Sequence, residues 1–429
     1  MQTYNNTQLD DIASIKYDNR WNHCEGRQIA MHSIHAYPAK FPPFIASEAF
    51  SYAAEEGVAV NCVADVFCGC GTVALESKIR NIPFWGCDIN PVAVMITKAK
   101  VSEYSANKLE GYYQKSIVCF NLFRNEIKCD ELYFGANERL KYWFDMATYC
   151  DLFALKKAIY CCVTEENYLN CFLCIFSSIL KTASRWLQKS IKPQVDPNKR
   201  ISSVIDLYKR QYKKVLSASN EVSSIAETCD AEIRIEQRNI LKGSINKTFD
   251  LIVTSPPYVT SYEYADLHQL SSLWLDYSKD YRSLRKGSIG SAYNTVDVDE
   301  NSLALNSTGR NIVSELQEKK APKSKIKSIA RYYSNMESVI YKCYRMINPG
   351  GMALFVIGDS ESGGVRLENS KHLIESMTNS GFHDIKIGKR TIQKSMCVPF
   401  RDNKGKFTKT DNSHNEIYHE EYIISGRRI

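Results

Sequence analysis

An α/β fold with a mostly parallel sheet, interrupted by a helical insertion, is what this sequence predicts. Three observations carry the expectation. Asn61 to Asp88 reads as strand, glycine turn, helix and strand in succession, the unit from which parallel sheets are built. Phe249 to Val253 is a short apolar run of the kind buried on both faces of such a sheet. Residues 107–228, lying between these two units, carry helical rather than strand patterning. The 429 residues, 44% hydrophobic and 24% charged, suffice for one elaborated domain or two.

Residues 1–30 are polar with little period and predict an irregular lead-in. His35-Ala36-Tyr37-Pro38-Ala39-Lys40-Phe41 then crowds prolines and aromatics ahead of a helix from Phe44 to Glu56. Such a stretch either braces the helix entry or projects His35 and Lys40 into a ligand pocket. Cys62 to Phe67 is a buried strand, Cys68-Gly69-Cys70-Gly71-Thr72 a turn, Val73 to Arg80 a helix and Phe84 to Asp88 the next strand. The glycines let backbone pass close to a ligand, and an acidic residue ending the second strand can accept both ribose hydroxyls of a nucleoside. An adenosine-type cofactor fits. The third glycine of the dinucleotide fingerprint is missing and no Gly-Lys-Ser/Thr occurs, which disfavours NAD and nucleoside triphosphates.

Pro91 to Ala106 predicts a helix packing back on the sheet. Ala231 to Gln237 is the third strand, followed by Arg238-Asn239, where a cofactor base could be recognised; Leu251 to Thr254 is the fourth. Val259 to Tyr277, with Tyr262, Tyr264, His268 and Trp274, predicts a loop running into a helix, and His268 reads as a structural histidine. Toward the C-terminus, Ser328 to Ile347 is a helix stopped by Asn348-Pro349-Gly350-Gly351. Met352 to Ile357 is a strand, Leu373 to Ser380 a helix, and Asp384 to Lys389 and Glu421 to Ser425 are closing strands around a charged turn at 400–416.

Thr254-Ser255-Pro256-Pro257-Tyr258, at the exit of the fourth strand, carries the most chemistry. Two prolines fix φ and lack N–H groups, so the chain leaves the sheet in one stiff conformation. That can aim the Ser255 hydroxyl and the Pro256 carbonyl, both acceptors, at one point beside the Tyr258 ring. An exocyclic amine on a planar base suits such a site. A plain rigid exit turn is the alternative.

The formal net charge of +7 permits a polyanionic partner without demanding one. Residues 282–331 predict a basic loop, within which Lys319, Lys320, Lys323, Lys325, Lys327 and Arg331 occur with no acid and run into Tyr332-Tyr333, a pattern that suits a nucleic-acid backbone with stackable bases, or a solvated loop. Lys181, Arg185, Lys189, Lys192, Lys199 and Arg200 pose the same choice. No signal peptide or membrane-length apolar run occurs, so a cytoplasmic protein with no membrane contact is expected. The fifteen cysteines read as reduced, buried thiols. Cys161-Cys162 and Cys171-x-x-Cys174 lie in helical sequence without the turns of a zinc knuckle, so no metal is expected.

Phe67-Cys68-Gly69-Cys70-Gly71-Thr72, Asp88-Ile89-Asn90-Pro91 and Thr254-Ser255-Pro256-Pro257-Tyr258 together resemble the motifs of S-adenosylmethionine-dependent DNA amino-methyltransferases, and His35 to Phe41 is similar to a segment preceding the glycine turn in some of them. The resemblance reaches from about residue 31 to the C-terminus, weakest in the insertion and the basic loop. It implies a Rossmann-like class I methyltransferase fold with a mostly parallel seven-stranded sheet, a catalytic domain formed by 31–106 and 229–429, and an insertion at 107–228 that is a candidate target-recognition region. It also implies S-adenosylmethionine as cofactor and double-stranded DNA as partner, and leaves open a separately encoded restriction endonuclease.

Carried over position by position, Phe67, Gly69, Gly71 and Asp88 would hold the cofactor, with Tyr37, Lys40, Asp65, Thr72, Asn239 and Thr254 as further cofactor positions. Asn239 departs from the acidic residue frequent there. Ser255, Pro256, Pro257 and Tyr258 would be catalytic. Serine in this motif implies cytosine N4 as the target, ahead of adenine N6 or an RNA guanine N2; a catalytically silent nucleic-acid-binding subunit is the rival class. No Pro-Cys dipeptide occurs, so covalent cytosine-C5 chemistry is disfavoured. Direct transfer to the amine of a flipped-out base follows.

Overall fold

The computed structural model describes residues 1–3, 12, 14–22, 28–38, 40–225, 230–259, 263–293, 303–392, 400–401, 415–416 and 420–429. The chain begins with β1 (Gln2–Thr3), α1 (Pro43–Glu55), β2 (Val63–Asp65), α2 (Thr72–Ile79), β3 (Phe84–Asp88) and α3 (Pro91–Val101). Six helices follow: α4 (Ala106–Glu126), α5 (Cys129–Phe134), α6 (Glu138–Trp143), α7 (Met146–Cys162), α8 (Glu166–Ala183) and α9 (Val204–Ile225). Next come β4 (Ile233–Gln237), β5 (Phe249–Thr254), the short α10 (Tyr264–Leu267) and α11 (Gln269–Trp274), then α12 (Ser307–Glu318) and α13 (Lys323–Met346). The chain closes with β6 (Ile347–Ile357), β7 (Ser360–Ser362), β8 (Val365–Leu367), α14 (Asn369–Ser380), β9 (His383–Thr391), β10 (Phe400–Arg401), β11 (Asn415–Glu416) and β12 (Glu420–Arg427).

The main sheet has the order β1-β9-β12-β6-β5-β2-β3-β4. β4, β3, β2, β5 and β6 run parallel, whereas β12 pairs antiparallel with both β6 and β9. The fold is thus a Rossmann-like α/β sheet. After β2 the chain builds outward through β3 and β4, then returns to set β5 on the other side of β2. That reversal makes the carboxyl ends of β2 and β5 a topological switch point, the place where open α/β sheets bind ligands.

The sheet has eight strands rather than the expected seven. The addition comes from the expected irregular lead-in: Gln2 and Thr3 pair with Ile387 and Lys386 at the far edge. Trp21 is fully buried, edge-on to Tyr52 at 5.9 Å, so apolar burial fastens this segment despite its polar composition. The expected basic loop at 282–331 is also largely helical where described. It holds a 3-10 turn (Tyr281–Arg285), α12 and the start of α13, which begins at Lys323 straight after Pro322, a residue suited to a helix entry. Nor does Asn348-Pro349-Gly350-Gly351 separate helix from strand. β6 begins at Ile347 and absorbs it where the register against β5 shifts, and Gly351 leaves no room for a Cβ, which would lie 2.7 Å from the Asp250 carbonyl oxygen.

Helices α4–α9 do not stand apart from the sheet. Trp143, Phe172, Phe176 and Tyr208 share one apolar core with Val92, Met95 and Ile96 of α3 and Trp274 of α11, and Trp143 Nε1 donates to Gln269 Oε1 at 3.0 Å. The basic exit of α8 is divided: Lys189, Lys192 and Arg200 are exposed, and the other three fold back on the chain. Lys181, Arg185 and Lys199 donate to the carbonyls of Ser190, Tyr142 and Trp186, stapling the segment that follows the helix. Among the described residues no helix is long and apolar enough to cross a membrane.

Candidate functional site

The turn after β2 is shaped by its glycines. Gly69 and Gly71 have φ of +50° and +74°, where side chains other than glycine's are strained. A Cβ on Gly71 would also lie 2.5 Å from Thr97 Cγ2. At Gly69 the space is open, with the nearest atoms, Phe67 O and Tyr37 Cε1, at 3.8 Å; backbone is therefore exposed to close approach there. The Asp88 carboxylate, at the end of β3, accepts from Gly69 N at 2.9 Å and Asn90 N at 2.8 Å. Burial pushes its pKa up, and these backbone bonds oppose the rise. Each oxygen keeps a further lone pair, so Asp88 can still accept two hydroxyls.

Tyr37 covers this turn. Its ring stacks on His268 at 4.7 Å between centroids, and its hydroxyl pKa is raised first by burial and then by Asp88. Burial lowers the pKa of His268 to about 4 and of neighbouring His35 to about 3, so both rings are neutral near pH 7. His268 therefore packs and offers no charge.

The second turn leaves β5 beside the first. Ser255 Oγ donates to the Val356 carbonyl of β6 at 3.1 Å, which commits the hydroxyl proton and leaves the oxygen as an acceptor. Tyr258 Oη donates to Glu421 Oε1 of β12 at 2.9 Å, and Glu421 Oε2 lies 2.9 Å from Arg390 Nε of β9. Gly358, just past β6, makes room for the ring, since a Cβ there would be 3.1 Å from Tyr258 Cε2. Tyr332 lines the same neighbourhood, 3.6 Å from the position a Cβ on Gly290 would take.

Several expected cofactor positions support the site from behind. Asp65 Oδ1 accepts from Phe67 N at 3.0 Å and from Thr254 Oγ1 at 2.6 Å, joining the two turns. Both Asp65 and Thr254 are buried, and burial raises the Asp65 pKa to about 7. Thr72 Oγ1 donates to the Phe41 carbonyl, and Lys40 Nζ reaches the His32 carbonyl at 3.2 Å rather than the turn. Asn239 accepts from Leu241 N and donates to the Gly287 carbonyl, holding a loop whose glycine approaches Ile89.

Of the basic residues, Lys319, Lys320 and Lys323 are exposed and Lys325 and Lys327 half-buried, but Arg331 is buried on the inner face of α13. Its burial removes it from any phosphate-contacting surface. Tyr262 lies outside the described residues.

Glu421, Arg390 and Gly358 were not legible as site residues, and Tyr332 was read only as a partner of the basic run. A glycine just after strand β6 was the one local signal; the others join the site through contacts across long stretches of chain.

Three buried polar atoms around the two turns, Asn90 Nδ2, His268 Nε2 and Tyr332 Oη, have no hydrogen-bond partner among the described residues. Such buried polar groups are costly unless something else meets them. Together with the open face at Gly69 and the Asp88 acceptors, they fit a nucleoside-bearing cofactor and a polar planar substrate.

The chain is 25% identical over 265 residues to the type II methyltransferase M.MvaI of Kocuria varians, covering 58% of each chain. With the type II methyltransferase M.BsoBI of Geobacillus stearothermophilus it shares 20% over 351 residues, 68% of this chain and 67% of the other. A solved S-adenosylmethionine-dependent methyltransferase from Clostridium acetobutylicum ATCC 824 aligns over 91% of this chain and 94% of its own, at 7% identity and a TM-score of 0.29. No family model matches.

Proposed function

We propose that this relative of the type II methyltransferases transfers a methyl group from S-adenosylmethionine to the exocyclic amine of a base in double-stranded DNA, with cytosine N4 the favoured target. The observation that carries the reading is the pairing of the two turns at the switch point: backbone and carboxylate suited to a nucleoside at β2 and β3, and an acceptor pair with a ring at β5. Bound S-adenosylmethionine would supply a methyl carbon activated by a positively charged sulfur. Gly69 and Gly71 would admit it to the backbone, Asp88 would take its ribose hydroxyls and Tyr37 would cover it.

Ser255 Oγ and the Pro256 carbonyl then accept the two amine hydrogens, turning the nitrogen lone pair toward the methyl carbon. As the nitrogen–carbon bond formed, the methyl–sulfur bond would break and leave the neutral thioether, these dipoles would stabilise the positive charge growing on the amine, and one amine proton would pass to solvent. No general base is required, consistent with neutral His35 and His268. Tyr258 stacks the base, which must leave the duplex to reach it. Exposed Lys320 and Lys323 are the proposed phosphate contacts, and helices α4–α9 the proposed target-recognition region.

Incubation with labelled S-adenosylmethionine and unmodified DNA, digestion and mass spectrometry of the nucleosides tests this. N4-methylcytosine is expected. N6-methyladenine would keep the chemistry and change the base; label confined to RNA, or absent from both polymers, would contradict the proposal.

A further inference from the structure

A cluster of thiols between α4 and α7 has no part in the chemistry above. α4 and α7 pack side by side and antiparallel, as Arg124 pairing with Asp151 and Lys157 lying over the Phe123 ring both show. Where α7 ends, Cys161 and Cys162 meet Cys119 of α4, and the three sulfurs all lie within 4.8 Å of one another. Cys161 is exposed and the other two are half-buried, so the cluster opens to solvent.

We infer that Cys119, Cys161 and Cys162 form a three-thiolate site for a thiophilic divalent cation of the zinc and cadmium type. Zinc–sulfur bonds of about 2.3 Å place the sulfurs of a tetrahedral site roughly 3.8 Å apart, a contraction that small side-chain movements supply. The last turn of α7 adds the negative end of its dipole, which favours a cation. A fourth position stays open to water. A bound cation would displace the thiol protons and be held by the resulting charge. The site would clamp α4 to α7 within the helical insertion. The sequence showed the Cys161-Cys162 pair, from which no metal was expected; the third ligand comes from another helix and could not be read from spacing.

The test uses the full chain, kept reduced with a phosphine, titrated with Cd²⁺ and followed by thiolate-to-cadmium charge-transfer absorbance, then by displacement with Zn²⁺. One equivalent with the intensity of three thiolates is expected. Cys161→Ser, at an exposed position where the fold is spared, should drop the signal to two thiolates and weaken binding by about tenfold or more; Cys119→Ser should do the same. Unchanged titrations in both variants would overturn the site. So would a signal lost on Cys129→Ser or Cys150→Ser instead, since those thiols form a separate neighbouring pair between α5 and α7.

Discussion

The two turns at the switch point are neighbours in space but are built by opposite means. The turn after β2 is local: positive-φ glycines, with the Asp88 carboxylate held by the backbone N–H groups of Gly69 and Asn90. The turn after β5 has prolines where N–H groups would be, so its side chains are steadied from afar, Ser255 by Val356 and Tyr258 by Glu421. Asp65 is the joint, bonded to Phe67 in one turn and Thr254 in the other. On the proposed function, a cofactor used in every turnover suits a rigid local cradle, whereas a base arriving from a duplex suits a ring whose support comes from the strands that close the sheet.

Breaking the joint should give the largest effect. Burial raises Asp65 to about 7, so the folded protein keeps a proton that the unfolded chain loses through the ordinary carboxylate range near 4. Stability from this group is fully present below that range, falls as pH rises toward 7, and levels off above it, by up to ~4 kcal/mol. Asp65→Asn should flatten that limb of the stability profile measured by urea unfolding; an unchanged limb would place the titration elsewhere. Gly71→Ala strikes the local turn alone, combining left-handed strain with the Thr97 clash, and should cost roughly 3 kcal/mol in the same measurement. A cost near zero would mean that the turn relaxes freely.

Ser255→Ala should lower the methyl-transfer rate by ~10²-fold, in line with removal of one oriented hydrogen-bonding partner; an unchanged kcat would remove Ser255 from the mechanism. The smallest effect is expected for Tyr258→Phe, which keeps the ring and loses only the Glu421 tether. A fall in kcat of roughly tenfold, from loss of orientation, is expected. A fall as deep as that of Tyr258→Ala would mean that the hydroxyl, and not stacking, is what the base needs.

The same contrast explains what could be read before the structure. Strand, glycine turn and Asp88 lie within 28 consecutive residues, Asn61 to Asp88, and their constraints are backbone constraints written into residue type. The pentapeptide was legible for the same reason. Asp65, Thr72 and Thr254 stood in the right neighbourhood, but nothing local distinguishes a side chain facing the ligand from one tying the turn from behind. Arg331 was placed by charge, and its burial takes it off the surface, whereas Lys40 came from the His35 to Phe41 segment and its ammonium reaches the His32 carbonyl instead of the turn. Glu421 and Arg390 could not be found, since their meaning depends on β12 and β9 closing the sheet beside β6. Gln2–Thr3 became a strand only because the β9 edge offered unpaired backbone groups to join.

The division of labour between the turns is measured most directly by calorimetric titration of S-adenosylmethionine into the wild-type protein, Asp88→Ala and Ser255→Ala. Asp88→Ala should weaken binding by ~10²-fold, through the loss of charge-assisted bonds to two hydroxyls, while Ser255→Ala binds within about twofold of wild type, well under the 1.4 kcal/mol that separates tenfold affinities. Equal losses in the two variants would contradict the account and make the turns one undivided pocket.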